Sequence, residues 1–182
     1  MKFEIETDRL KLKVLGKESA EIILDFYSRN RNIFEKYEPI IGDEFYTLSH
    51  QRKILEFEHN NILKMIMVRY WIFEKGNPYK VIGTVSYRNI VRPIYQSCTI
   101  GYKMDRDYQN KGYCSEAIAA TIPVIAKDLG IHRFEALILP DNEPSIHMVE
   151  KLGFKHEGVL RDKIIINGKR LDHSMYAYLA DN

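Results

Sequence analysis

Cysteine is scarce in this chain of 182 residues, with Cys98 and Cys114 the only two. Such a pair makes neither a disulfide framework nor a spaced metal motif, so both read as free thiols of a reducing compartment. Charge of one sign is scarce too: 27 Lys and Arg stand against 25 Asp and Glu, a formal net charge of +2. That argues against a broad nucleic-acid surface, which needs a strong basic excess. It still allows a small basic mouth for an anionic ligand. No apolar run approaches membrane-spanning length, since Lys64 and Arg69 break the nearest candidate. The first nine residues, Met-Lys-Phe-Glu-Ile-Glu-Thr-Asp-Arg, are too charged for a secretory leader, so a cytoplasmic protein is expected. Repeats and low-complexity tracts are also missing. What is present, 45% hydrophobic and 29% charged residues, suits one globular domain over 1–182.

Hydrophobic periodicity lays out the elements. Leu10, Leu12 and Val14 alternate with lysines, as in a half-buried strand. Residues 17–31 predict a helix with Ala20, Ile23, Phe26 and Tyr27 on one face. The aromatic-rich stretch 34–46, broken by Pro39 and Gly42, is expected to be irregular. A second helix opens near Ser49 and carries Ile54, Leu55 and Phe57 inward. Strands over 70–73 and 81–87 flank a Gly76-Asn77-Pro78 turn. A strand over 97–104 leads through a loop to an amphipathic helix over 115–129, stopped by Gly130 and kinked by Pro123. Next come a strand over 134–139 and a short helix over 144–152, capped by Asn142. The last element is a hairpin, 158–166 and 169–179, turning on Asn167-Gly168. This order predicts an α+β fold with one mixed sheet.

The loop from Asp107 to Ala117 has the layout of an anion site: strand, small residues, helix start. The first turn of a helix offers unpaired N–H groups and the positive end of its dipole. Gly112 lets a phosphate approach closely, and Asn110 tolerates unusual backbone angles. The nucleotide P-loop fails here because Lys111 precedes its glycine, and the dinucleotide fingerprint fails for want of two further glycines. The pattern Gln-x-x-Gly-x-small, set by Gln109, Gly112 and Cys114, resembles the pyrophosphate loop of the GNAT acyl-CoA N-acetyltransferases. Gly or Ala is usual there at the Cys114 place. Thr7-Asp8-Arg9-Leu10, Cys98-Thr99-Ile100-Gly101-Tyr102, Ile131-His132-Arg133, Asn142-Glu143-Pro144-Ser145, Glu150-Lys151-Leu152-Gly153-Phe154, Glu157-Gly158 and Asp172-His173 follow in family order. The closer likeness is to the ribosomal-protein N-terminal (alanine/serine) acetyltransferase branch.

The resemblance implies a GNAT fold, its sheet splayed at an acetyl-CoA site and flanked by helices, with acetyl-CoA as co-substrate and no metal, nucleic acid or membrane. It implies that the backbones of Gln109, Asn110, Lys111, Gly112, Tyr113 and Cys114 hold the pyrophosphate. Lys103 and Met104 would pair with the pantetheine arm, and Asn142 would bond it across the splay. The oxyanion would meet a backbone N–H near Met104. Many members protonate the leaving thiolate with a tyrosine where this chain has Val149, so Ser145 is the expected proton donor. The family's usual glutamate corresponds to Thr99. That leaves Glu135, Glu157, Asp162, Asp172, His147, His173 or a held water as base candidates. The acceptor is open between a protein N-terminal amine and a small amine such as a polyamine, amino acid or aminoglycoside. Acidic residues Glu35, Glu38, Asp43, Glu44, Glu56 and Glu58 could attract a cationic one. A non-catalytic CoA-binding module is the third alternative.

Overall fold

In β3 (Val68–Glu74) both faces of the strand are buried, which explains a run that reads as almost continuously apolar. Val68, Tyr70 and Ile72 pack in one core with Ile118, Ile122 and Ile125, whereas Trp71 and Phe73 pack in a second with Ile23, Phe26 and Leu55. Each such side chain, fully buried, contributes about 1.5–3 kcal/mol. The computed structural model describes residues 1–38 and 42–180. Before β3 come β1 (Glu4–Glu6), β2 (Leu10–Lys13), α1 (Ala20–Arg29), α2 (Arg31–Tyr37) and α3 (Leu48–Leu63). After it come β4 (Asn77–Val91), β5 (Ser97–Met104), α4 (Tyr113–Leu129), β6 (Arg133–Ile138), α5 (Glu143–Lys151), β7 (Lys155–Ile166) and β8 (Lys169–Leu179).

The strands form one mixed sheet in the order β1-β2-β3-β4-β5-β6-β8-β7. All neighbours are antiparallel except β5 and β6, whose parallel pairing is made possible by the α4 crossover. That pairing is short. It runs from Ser97 opposite Arg133 to Ile100 opposite Ala136 and goes no further. Beyond it, β5 stays on β4 as far as Met104 opposite Gly83, and β6 stays on β8 as far as Ile138 opposite Ser174. The two strands part, and among the described residues no strand lies beside the edge of Gly101–Met104 that faces β6.

Several expectations are corrected. The first helix breaks at Asn30, whose buried side chain is taken by the Phe26 carbonyl (2.9 Å) and the Arg106 N–H (3.0 Å). Much of 34–46 is regular: α2 extends to Tyr37, and a 3₁₀ turn covers Asp43–Tyr46. Pro39 lies outside the described residues. α3 opens at Leu48, one residue before the expected Ser49, and is capped by Thr47, which accepts from the His50 N–H at 3.3 Å. Phe57 is 64% exposed, while Gln51 and Glu58 face inward with Leu55 and Ile62. Apolar periodicity misses that face because two of its members are polar. Asn77 and Pro78 belong to β4 rather than to the turn. α4 starts at Tyr113, two residues before the expected position, and β7 starts at Lys155. Pro123 lies on the exposed face of α4, so the Ala119 carbonyl that loses its partner is also on the solvent side.

Candidate active site

The anion loop is shaped by two left-handed residues, Asn110 (φ 59°) and Gly112 (φ 77°), the second immediately before α4. Gly112 suits that conformation because it has no Cβ, which would sit 3.5 Å from the Arg9 guanidinium. The loop is braced from the far end of the chain. Glu116, in the first turn of α4, accepts the Thr7 hydroxyl at 2.5 Å and Arg9 Nε at 2.6 Å. Arg9 also donates to the Lys111 carbonyl at 3.0 Å and stacks 4.5 Å from the Tyr113 ring. Burial alone would raise the Glu116 pKa, but these Thr7 and Arg9 bonds outweigh it and hold the carboxyl below its usual range. Thr7-Asp8-Arg9-Leu10 had no assigned role in the sequence. Here it is the latch on the helix that carries the loop.

A cleft of about 1030 Å³ opens where β5 and β6 part. Lys103, Met104, Gln109, Asn110, Gly112, Tyr113, Cys114, Asn142 and Ser145 all line it; Lys111 is exposed beside it, with its ammonium 5.0 Å from the Tyr108 ring. The backbone of β5 runs along the cleft, but its side chains divide. Lys103 turns to the α1–α3 side, where it pairs with Glu38 at 2.7 Å and lies over the Tyr27 and Phe34 rings. Ile100, Tyr102 and Met104 turn to the α4–α5 side. Asn142 caps α5, its side-chain oxygen 3.4 Å from the Ser145 N–H. The Cys114 thiol is pushed up to about 12 by burial, so it is not a ready nucleophile, in keeping with direct transfer.

Ser145 Oγ lies 2.5 Å from Tyr102 Oη. Burial raises the Tyr102 pKa well above the usual tyrosine range, so the phenol keeps its proton at neutral pH. Sequence reasoning missed Tyr102. Its signal was the alternation Ile100, Tyr102, Met104, which places it on the face of β5 toward α5. Val149 is fully buried, and its place belongs to the core rather than to the cleft.

Of the base candidates, Glu135 and Glu157 are both clasped by Arg133. Asp172 accepts the Asp162 N–H at 2.9 Å within the final hairpin. His147 and His173 line the cleft, as does Thr99. His173 is 3% exposed, and its Nδ1 is 3.1 Å from the Leu171 carbonyl. A carbonyl cannot donate, so that nitrogen carries the hydrogen and Nε2 of the neutral ring is bare. Five of the six acidic residues proposed to attract a cation pair with a lysine or arginine: Glu35 and Asp43 with Arg31, Glu38 with Lys103, Glu56 with Lys17 and Glu58 with Arg69. Glu44 lies 3.6 Å from the His50 ring.

An acetyltransferase (GNAT) domain matches residues 9–155. The chain belongs to the GNAT acetyltransferases. As a member it is an N-acetyltransferase, which removes the non-catalytic alternative. It is 35% identical over 160 residues to a probable N-acetyltransferase of Bacillus subtilis (strain 168), covering 88% of each chain. To the [ribosomal protein uS5]-alanine N-acetyltransferase of Escherichia coli (strain K12) it is 28% identical over 177 residues, 97% of this chain and 90% of that one. The crystal structure of the ribosomal-protein-S5-alanine acetyltransferase of Vibrio fischeri superposes with a TM-score of 0.93 at 28% identity, over 100% of this chain and 98% of that one. In this GNAT protein the cleft lies where β5 and β6 part. Among the described residues, no helix is long and apolar enough to cross a membrane.

Proposed function

We propose that this GNAT enzyme transfers an acetyl group from acetyl-CoA to the N-terminal α-amine of a protein. The observation that carries the reading is the open edge of Gly101–Met104, which leads to the helix N-terminus behind Gly112. An extended amide-bearing arm can pair with such an edge as an added strand would, while its pyrophosphate meets the backbone N–H groups of the loop. Lys103 and Met104 would supply the first contact, Gln109 to Cys114 the second, and Asn142 a third from across the gap. The amine nitrogen forms the new C–N bond as the C–S bond breaks. The thiolate then takes the Ser145 proton, which is replaced from solvent through the Tyr102 hydroxyl, so both groups end protonated as they began. An α-amine has an ordinary pKa of about 8, so a fair fraction is neutral at pH 7 without a strong base. His173, on the cleft lining, is the residue assigned to take its proton.

Likeness to two alanine N-acetyltransferases along nearly the whole chain supports a protein N-terminus as acceptor. For a polyamine the structure gives less support, because five of the six acidic residues already hold a lysine or arginine. The test is acetyl-CoA turnover, followed as free thiol, with N-terminal Ala or Ser peptides, spermidine and an aminoglycoside compared by kcat/KM. Peptides should be the best acceptors. Efficient turnover of spermidine or the aminoglycoside, with peptides inert, overturns the reading.

A further inference from the structure

The cleft is richer in positive charge than the chain as a whole. Its charged lining comprises Lys36, Arg69, Arg88, Lys103 and Lys151, against a single carboxylate, Glu38. Two of these cations are already matched, Lys103 by Glu38 at 2.7 Å and Arg69 by Glu58 at 2.9 Å. Arg69 also donates to the Tyr27 hydroxyl at 3.0 Å. Among the described residues Lys36, Arg88 and Lys151 have no such partner, and of these only Arg88 stands on a strand next to β5. Among those same residues Arg88 has no ion pair within 4.0 Å and no hydrogen bond to any carboxylate or carbonyl.

Register places this guanidinium over the open strand. Arg88 stands on β4 opposite Thr99 of β5, and its Nη2 would be 3.0 Å from a Cβ added at Gly101. Gly101 begins the unpaired edge, and its lack of a side chain leaves room for Arg88 to lie across β5. The carboxylates that reach Arg88 electrostatically, Glu38 and Glu58, each hold another cation. Arg88 is exposed as a residue, but partial desolvation of its guanidinium and then the neighbouring Arg69 lower its pKa. A planar guanidinium in that position offers a two-pronged site for a carboxylate.

We propose that Arg88 selects acceptors bearing a carboxylate a few bonds from the reacting amine: in a peptide, an Asp or Glu side chain among its first three residues. This rests on the acetyltransferase reading of the cleft and deepens it by naming an acceptor class. The carboxylate docks on Arg88, beside Lys103 and Arg69, and so orients the amine over β5. A cationic acceptor meets repulsion at the same place.

The experiment compares peptides beginning Ala-Glu-Glu with the isosteric Ala-Gln-Gln, using the full chain with saturating acetyl-CoA. The acidic peptide should be favoured in kcat/KM by about tenfold or more, as expected for a charge-assisted pair in a partly desolvated site. High salt should shrink the ratio. Arg88→Gln should bring the ratio toward one, and Arg88→Lys should keep part of it, while the thermal shift with acetyl-CoA persists in both and reports folding. Equal use of both peptides by the native enzyme overturns the proposal. So does a variant that loses turnover on both peptides with the ratio unchanged. If no peptide is used but a free acidic amino acid is, and Arg88→Gln abolishes its preference over the amide analogue, the Arg88 assignment stands and the protein N-terminus reading falls.

Discussion

Tyr102 and Ser145 are 43 residues apart in the chain, yet their hydroxyl oxygens are 2.5 Å apart at the wall of the cleft. One sits on the strand beside the open edge and the other in the first turn of α5. A serine hydroxyl alone is a poor acid. Joined to a phenol that burial keeps protonated, it becomes one end of a two-member proton path.

Removing either end should therefore slow the same step. Ser145→Ala and Tyr102→Phe should each lower kcat by at least about tenfold, ~1.4 kcal/mol of barrier, with acetyl-CoA affinity little changed. The double variant should be scarcely slower than either single one, because both act on one path. Additive losses in single-turnover kinetics would separate the two residues. Near-native turnover of Ser145→Ala with chemistry rate-limiting would make solvent the proton source.

Gly112→Val should abolish acetyl-CoA binding in a protein that still folds. A branched side chain is strained at φ 77°, by about 1–3 kcal/mol, and it occupies the approach to the loop beside Arg9. Thermal unfolding with and without acetyl-CoA measures this: the native chain should shift upward and the variant should not. An equal shift in the variant removes the loop from the site.

The Glu116 latch makes an acid-dependent prediction. Its folded pKa is depressed, so its contribution is fully present above the unfolded value of about 4.3 and fades as pH falls through the folded one. Glu116→Gln should cost about 1–2 kcal/mol at neutral pH, a modest figure for a partly exposed group. The gap in Tm between native and variant should narrow as pH falls below about 4. A gap that stays constant down to pH 3 would show that the loss is one of shape and not of charge.

Asp105 should matter more. Fully buried at the end of β5, it holds Arg29 Nε at 2.6 Å and the Asp107 N–H at 3.0 Å. Asp105→Ala removes the buried partner of a guanidinium that keeps Asp25 and the Val81 carbonyl, and should cost about 1.5–3 kcal/mol by chemical denaturation. Because the segment after Asp105 enters the anion loop, KM for acetyl-CoA should rise as well. A loss below 1 kcal/mol would mean that water replaces the carboxylate freely.

Much of this architecture was legible from short stretches. Asn167-Gly168 turns the last hairpin, Gly130 ends α4 in a left-handed conformation, and Gly112 opens it, because each depends on the backbone freedom of a few neighbouring residues. The strand of Leu10 and Leu12 and the inward face of α1 were likewise written in alternation and helical spacing. Reading failed where polar residues carry the packing: Gln51 and Glu58 turn α3 by bonding inward, and Asn30 breaks α1 to serve the loop junction. Partnership was beyond the reach of local pattern. That Glu116 answers Thr7 and Arg9, that Tyr102 meets Ser145, and that Arg88 lies across Gly101 follow from which strands and helices the fold sets side by side. Propensity acts over a few bonds, but an ion pair is set by distance in space, and the sheet order decides that distance. Sequence alone determined the kind of loop and the run of elements. The tertiary structure decided which charges are spent within the protein and which face the cleft.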